Sequence, residues 1–413
     1  MNGPKKVRER RYASSSSILV ALAGLVALAA CGGGSTSPTT STTAATASAP
    51  GTVYRWGVPG TSGKIAKLEL TTPTTVAGIT GTVTQVATSN SDGYALTSNG
   101  EVFAWGVNNY GELGDGTTSR YEIHAVQVDF PSGVTITTLA NPMPFDGALA
   151  IDSTHHVWAW GLNADGDLCL TGLTGHEALR PVEIGLSDVT LATGARTHSL
   201  FDSGGKVFAC GSGDAGELGN GSTSTTSTPT AVVGLPSTIG VTALTSSWEG
   251  SGALLANGSY YNWGYNAAGQ LGNGTTTNSS VPVRVSLPTA VSQVFQGGSG
   301  ATNGQTVALL VNGSTWSWGS NSKGQVGDRS KTNATSPVPV KVHSGVTFVK
   351  VNSGGYSSYG IDSSGQLWAW GGNQNGQLGT GNSERFETVP VKVGIHLTQV
   401  SSTASNVAGF LQQ

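Results

Sequence analysis

Charge, cysteine and metal-binding spacings are all scarce in this chain, and each scarcity removes a class of protein. Asp, Glu, Lys and Arg together make up 10% of 413 residues. No basic stripe exists on which a phosphate backbone could lie, so a nucleic-acid partner is not expected. Three cysteines, Cys31, Cys169 and Cys210, are too few for a disulfide scaffold. The seven histidines are scattered, and none stands in an HExxH, HxH or Cys/His spacing that would chelate zinc. No GxSxG elbow, phosphate-binding Walker loop or paired-carboxylate signature is present. These gaps predict a chain without cofactor, metal or catalytic residues. Also missing is any sustained amphipathic helical period, which leaves an all-β fold rich in Gly (61 residues), Ser, Thr and Val.

The first thirty residues stand apart. Lys5, Lys6, Arg8, Arg10 and Arg11 precede an apolar run from Ile18 to Ala30, which at 13 residues is too short to span a bilayer as a helix. A basic segment followed by a short apolar one is the pattern of an export signal. It ends in Leu28-Ala29-Ala30-Cys31, which resembles the lipobox of bacterial lipoproteins. That resemblance implies cleavage before Cys31, a lipid on its thiol, and residence in a bacterial envelope outside the cytoplasm, at the outer membrane, periplasm or cell surface. Residues 32–50, GGGSTSPTTSTTAATASAP, have nothing to bury and read with Cys31 as a flexible tether, 31–50. Without residues 1–30 the chain holds 15 Lys and Arg against 22 Asp and Glu, a net charge of −7. In an oxidising compartment Cys169 and Cys210 could pair. The alternative, which the sequence favours, is two buried thiols, with Cys210 standing as a small apolar residue in a tryptophan slot.

From residue 51 to 413 the chain is repetitive. Trp56, Trp105, Trp160, Cys210, Trp263, Trp318 and Trp370 each end a short apolar strand and are followed by Gly, at intervals of 49, 55, 50, 53, 55 and 52 residues. A period near fifty marks an array whose repeats bury their faces only against their neighbours. Each copy is a strand, a tight turn such as Asn99-Gly100 or Asn312-Gly313, a second strand ending in the anchor, and a glycine-rich loop. The anchors are therefore expected in the core. The Gly after each anchor is expected to permit close approach of adjacent units.

The string WGxNxxGQLGxG after a hairpin closely resembles the regulator of chromosome condensation repeat, most fully in residues 321–327 and 373–379. The resemblance covers roughly residues 52–411 and implies a seven-bladed β-propeller. Two repeats depart from it: the first has VPGTSGKIAKLEL in place of the glycine loop, and the third reads NADGDLCLTG, with Cys169 where Gly is usual. Residues 398–411 copy the strands at 84–96 but stop before an anchor strand, while Val53-Tyr54-Arg55-Trp56-Gly57 supplies one without its predecessors. The two ends are thus predicted to complete one shared blade and close the ring.

Candidate functional residues lie off the repeat pattern. The second and seventh repeats carry an Arg-aromatic-Glu triplet at one register, Arg120-Tyr121-Glu122 and Arg385-Phe386-Glu387, where other repeats have Ser, Thr or Asn. In a closed ring they flank the degenerate first repeat, and they are the predicted partner-binding residues, because Arg and aromatics dominate binding hot spots. Phe145 and Trp248, each 15 residues before its anchor, form a second aromatic pair of equal register. His198 stands in the GxxH element of the resembled family and is read as a structural hydrogen-bonding residue. The expected function is a non-enzymatic binding module, a monomer, acting on a protein or other envelope component. One alternative is a polysaccharide hydrolase or lyase, with Asp92, Asp146 and Glu249 meeting at the channel mouth. The resembled family also includes exchange factors for the Ran GTPase and secreted bacterial inhibitors of β-lactamases; repeat spacings of 49–55 leave little room for a large inserted wedge.

Overall fold

The computed structural model describes residues 51–57, 70–119, 121–172, 176–298, 303–330, 335–382, 386–403 and 406–410. The signal segment 1–30, Cys31 and its tether, residues 58–69 of the degenerate loop, Arg120 and Arg385 lie outside them.

Seven four-stranded antiparallel sheets account for all the regular structure among these residues. Blade 1 runs through Val83–Thr88, Asp92–Thr97, Val102–Val107 and Tyr121–Gln127; blade 2 through Ile136–Leu139, Gly147–Asp152, Val157–Leu162 and Glu177–Glu183. Blade 3 comprises Val189–Gly194, His198–Ser203, Lys206–Gly211 and Thr226–Ala231, and blade 4 Val241–Ser247, Gly250–Leu255, Tyr260–Gly264 and Ser279–Arg284. Blade 5 is built from Val291–Gly297, Gln305–Leu310, Thr315–Ser320 and Thr335–Lys341, and blade 6 from Phe348–Ser353, Ser357–Asp362, Gln366–Gly372 and Phe386–His396.

Blade 7 is composite. Gln399–Ser402 and Asn406–Phe410 come from one end of the chain and Val53–Gly57 and Leu70–Thr75 from the other. The joining register runs from Val53 opposite Phe410 to Gly57 opposite Asn406. The predicted clasp is therefore present, and it removes the unpaired edges that an open array would expose.

Adjacent blades are held by one repeated contact. The buried indoles of Trp160, Trp263, Trp318, Trp370 and Trp56 donate Nε1–H to the backbone carbonyls of Glu112, Glu217, Gln270, Gln325 and Gln377 at 2.9–3.0 Å. Each acceptor belongs to the glycine loop of the preceding blade. The loop glycine is fixed by the same contact: at Gly219, where φ is +64°, a Cβ would come 2.6 Å from Trp263 Nε1. Within the loop, the Asn of WGxN braces the turn, as where Asn266 Oδ1 accepts from the Leu271 amide at 2.9 Å. The anchors are thus core residues, and truncating one costs about 3–5 kcal/mol by the usual behaviour of buried aromatics.

The glycine after the anchor has a reason besides the one expected. Gly106 and Gly264 have φ of +122° and +99° and sit at register shifts between the third and fourth strands. A Cβ on Gly106 would strike Ser91 and Asp92 of its own blade. A β-bulge with positive φ is the first demand for Gly here, and the neighbouring blade adds the expected close approach, since a Cβ on Gly264 would come 3.3 Å from Glu217 Cα.

One blade junction is covalent. Cys169, with φ of +55°, occupies the loop-glycine position, Cys210 occupies the anchor position, and the two form a disulfide with Cα atoms 5.6 Å apart. Both are buried. This corrects the expectation of two free thiols. Cys169 in the loop and Cys210 at the anchor are thus one paired replacement, a disulfide for a Gly–Trp contact, between blades 2 and 3.

Candidate functional site

In each antiparallel blade the turn from first to second strand and the loop from third to fourth strand emerge at the same end. Around the axis, the seven first-to-second turns surround a small depression, partly open to solvent, lined among others by Asn90, Phe145, Arg196, Trp248, Gly298 and Thr403. Small residues line its blade 5 and blade 6 side, Gly297, Gly298 and Gly354, while blades 2 to 4 supply its bulk.

That bulk is an ordered cluster. Phe145 and Trp248 meet edge to face, with centroids 5.4 Å apart and ring planes at 79°. The exposed guanidinium of Arg196 lies 3.9 Å from the Trp248 centroid and 5.8 Å from that of Phe145. Backbone hydrogen bonds bind the turns together: the Asn90 amide donates to Phe145 O at 3.2 Å, and the Phe145 amide donates to Ala195 O at 3.0 Å. Thr197 Oγ1 donates to Trp248 O at 3.2 Å. Four blades thus position three side chains, and an exposed Arg stacked on two half-buried aromatics loses little rotamer freedom on binding.

The electrostatics are mixed. Burial raises the Asp146 carboxyl to about 6 against the pull of Arg196. Glu249 is raised by burial, lowered by Arg196, and raised again by Asp214. Both acids therefore lie in the field of one guanidinium, from the blades on either side of it. Asp92, the third candidate acid, is sealed from solvent and accepts from Ser89 Oγ at 2.6 Å, bracing its own turn. Its carboxyl is pushed well above the usual range by burial and by the charge of Glu112. The predicted convergence of three acids at the mouth is therefore not formed: Asp92 is sealed, and neither Asp146 nor Glu249 is among the residues that line the depression.

Other buried acids serve the loops. Burial raises Glu112 and Asp167 to about 8 and Glu217 to about 7. Glu112 and Glu217 fold back to accept from the amides of Tyr110 and Ala215 at 2.7 and 2.8 Å. Gln270, Gln325 and Gln377 make the same bond in their repeats. No group of three or more His, Cys, Asp or Glu among the described residues is placed to hold a metal ion. His198 is fully buried with Nε2 2.7 Å from Ser251 Oγ, and burial lowers its pKa to about 3. It is a packed structural residue of the blade 3–blade 4 junction, as read from the sequence.

The triplet residues sit at equivalent places on the outer strands of blades 1 and 6, Tyr121 opposite Val107 and Phe386 opposite Gly372. These blades do flank composite blade 7. Tyr121 is half-buried and its hydroxyl accepts from Arg55 Nη1 of blade 7 at 2.7 Å. Phe386 is 39% exposed, and Glu122 and Glu387 are half-buried. Arg196 was not legible as a site residue: it stands 14 residues before Cys210, one place off the register shared by Phe145 and Trp248.

The model of the regulator of chromosome condensation repeat matches residues 99–140, 204–254, 257–301, 312–361 and 364–408, and a second model of that repeat matches 83–112 and 348–377. Among curated proteins, the Ultraviolet-B receptor UVR8 of Arabidopsis thaliana is 29% identical over 289 residues, covering 68% of this chain and 63% of the receptor. The human E3 ubiquitin-protein ligase HERC2 is 28% identical over 204 residues, 49% of this chain and 4% of the ligase. The chain thus spans less than two thirds of the length of these relatives. Among solved structures, human WBSCR16 superposes with a TM-score of 0.76 at 18% identity, covering 88% of this chain and 99% of that one. Prp20p from Saccharomyces cerevisiae, described with its binding properties to Gsp1p and histones, gives 0.72 at 20% identity, covering 88% and 92%. At these identities the structural likeness speaks for the fold.

Proposed function

The chain belongs to the regulator of chromosome condensation repeat family, and from that premise we propose that it is a non-enzymatic binding module. Its contact surface is centred on the axial mouth, its partner is a protein, and it works outside the cytoplasm, tethered through a lipid on Cys31. The observation that carries the reading is the Arg196–Trp248–Phe145 cluster. A large, rigid, semi-exposed aromatic pair with a stacked guanidinium is the composition of an interface hot spot. A propeller that only filled space would have no call for it at a solvent-facing mouth, where the repeat pattern leaves each turn free to vary.

Two further observations support the placement. The segment 1–30 has the export pattern, and the Cys169–Cys210 disulfide belongs to an oxidising compartment. Prp20p, by its own description, binds proteins on this fold. The rim triplets remain part of the proposal as a flank to the mouth, with Phe386 the exposed aromatic and Tyr121 engaged with Arg55.

The test uses the full chain, produced with its own export signal, beside an Arg196→Ala/Trp248→Ala variant. Crosslinked complexes from envelope fractions are identified by mass spectrometry, and palmitate-analogue labelling is compared with Cys31→Ser. A protein recovered with the parent and lost with an equally stable variant supports the mouth. Equal recovery removes the mouth from the account, and labelling that survives Cys31→Ser removes the tether.

A further inference from the structure

At the end of the ring opposite the mouth, where the hairpins between second and third strands turn, one pairing recurs in three successive blades. On the outer strands Arg284 stands directly opposite Tyr261, Lys341 opposite Trp316 and Lys392 opposite Trp368. The same register in blades 1, 2, 3 and 7 holds Gln127, Glu183, Ala231 and Thr75. All three cations are exposed, and all three rings are half-buried. The Lys392 ammonium lies 5.4 Å from the Trp368 ring centroid. Standing one blade period apart, these cations form no basic run in the sequence; closure of the ring gathers them.

Among the described residues no carboxylate forms an ion pair with any of the three. A fourth cation, Lys350, is exposed on the first strand of blade 6 and donates to Thr398 O at 2.6 Å. The one acid at this end of blades 4 to 6, among the described residues, is Asp362, and it is committed to its own hairpin: it accepts from Ser364 Oγ at 2.6 Å and from Trp368 Nε1 at 3.0 Å. Val311 in the blade 5 hairpin and Val349 at the start of blade 6 are 62% and 46% exposed. Basic side chains are drawn to anionic headgroups, and Trp and Tyr favour the headgroup level of a bilayer, so the mixture suits a membrane interface. The chain also enters the fold at this end. Val53 starts the third strand of blade 7 here, and a Cβ on Gly51 would come 3.6 Å from the backbone nitrogen of Val83, the first residue of blade 1.

We propose that this face of blades 4 to 6 docks on an anionic lipid bilayer, with Arg284, Lys341 and Lys392 against the headgroups and Trp316 and Trp368 at their level. The inference rests on the lipid tether proposed above for bringing the chain to its membrane. Docked in this way, the propeller turns its axial mouth away from the bilayer, toward the partner.

The test uses the full chain, produced with its own export signal, and vesicles of phosphatidylcholine alone or of an equal mixture with phosphatidylglycerol. Flotation on the neutral vesicles reads the tether. Quenching of indole emission by brominated lipids reads contact of the face. Quenching should be stronger on the mixed vesicles, and Arg284→Gln/Lys341→Gln/Lys392→Gln should bring it down to the neutral-vesicle level while the chain still floats. Trp316→Phe/Trp368→Phe should lose the extra quenching, and high salt should erase it in the parent, a check that needs no variant. A parent that does not float on neutral vesicles refutes the tether alone; docking is then read from flotation on the mixture, which the triple variant should weaken by about 100-fold, the summed worth of three basic residues at an anionic surface. Equal behaviour of the parent on the two vesicle types, or a triple variant that behaves as the parent, overturns the docking. Release from the mixed vesicles by a double-stranded oligonucleotide at equal phosphate concentration rejects the bilayer as the occupant.

Discussion

Removing the disulfide should cost the propeller about 4 kcal/mol. The bridge joins residues 41 apart. Closing a loop of that length lowers the entropy of the unfolded chain by an amount worth about 4 kcal/mol at 25 °C in the chain-entropy account. Because either substitution breaks the same bond, Cys169→Ala, Cys210→Ala and the double variant should lose equal stability within about 1 kcal/mol, a plain failure of additivity. The assay is guanidinium unfolding of unreduced protein followed by tryptophan fluorescence. A Cys169→Gly/Cys210→Trp variant should recover part of the loss, since it restores the Gly–Trp contact of the other junctions. Cys210 Sγ already lies 3.6 Å from Asp167 O, the carbonyl equivalent to the indole acceptors Glu112 O and Glu217 O. A double variant that unfolds at the parent's denaturant concentration, or two single losses that add, would refute the reasoning.

Three further outcomes are expected. A chain ending at residue 398 loses Gln399–Ser402 and Asn406–Phe410 and leaves Val53–Gly57 with an unpaired edge; it should self-associate in size-exclusion chromatography and be cut quickly by protease, and a monomer as resistant as the parent would contradict the clasp. Glu217→Gln should stabilise the protein at pH 8 by about 1 kcal/mol or more, because the glutamine keeps the bond to the Ala215 amide without a buried charge. The sign follows from a folded pKa of about 7 against the ordinary 4.5: the parent loses stability as pH rises through that window, so the gain should vanish below pH 4.5. For His198, lowered to about 3 from 6.5, stability is present above pH 6.5 and lost as pH falls toward 3; a His198→Gln variant should show a flatter acid limb in the same denaturation series.

Much of the fold was legible because the repeat writes most of its contacts in recurring letters. The Trp of each anchor, the loop Asn and the loop Gly are partners in one hydrogen-bonded junction. Such local chemistry survives in any one copy, so even single repeats reveal it. The duplicated strand segments at 84–96 and 398–411 likewise disclosed the clasp. The disulfide escaped because a separation of 41 residues says nothing of distance in space. A signal did exist: Cys169 and Cys210 replace the two residue types that meet across a junction. The bulge glycines were noticed for their close approach to the next blade, and the bulge itself was missed, since φ is invisible in a sequence. At the mouth, Phe145 and Trp248 shared a register, but Arg196 joined them only through the turn that brings blade 3 between blades 2 and 4.

The most direct measurement for a binding face at the axial mouth is site-specific photo-crosslinking of the full chain in its own envelope. A photoreactive residue replaces Trp248 in one sample. In the other it replaces Asn257, in the hairpin turn at the opposite end of blade 4. A discrete crosslinked protein from position 248 and none from 257 is the predicted result. Equal products from both positions, or products from 257 alone, would contradict the account.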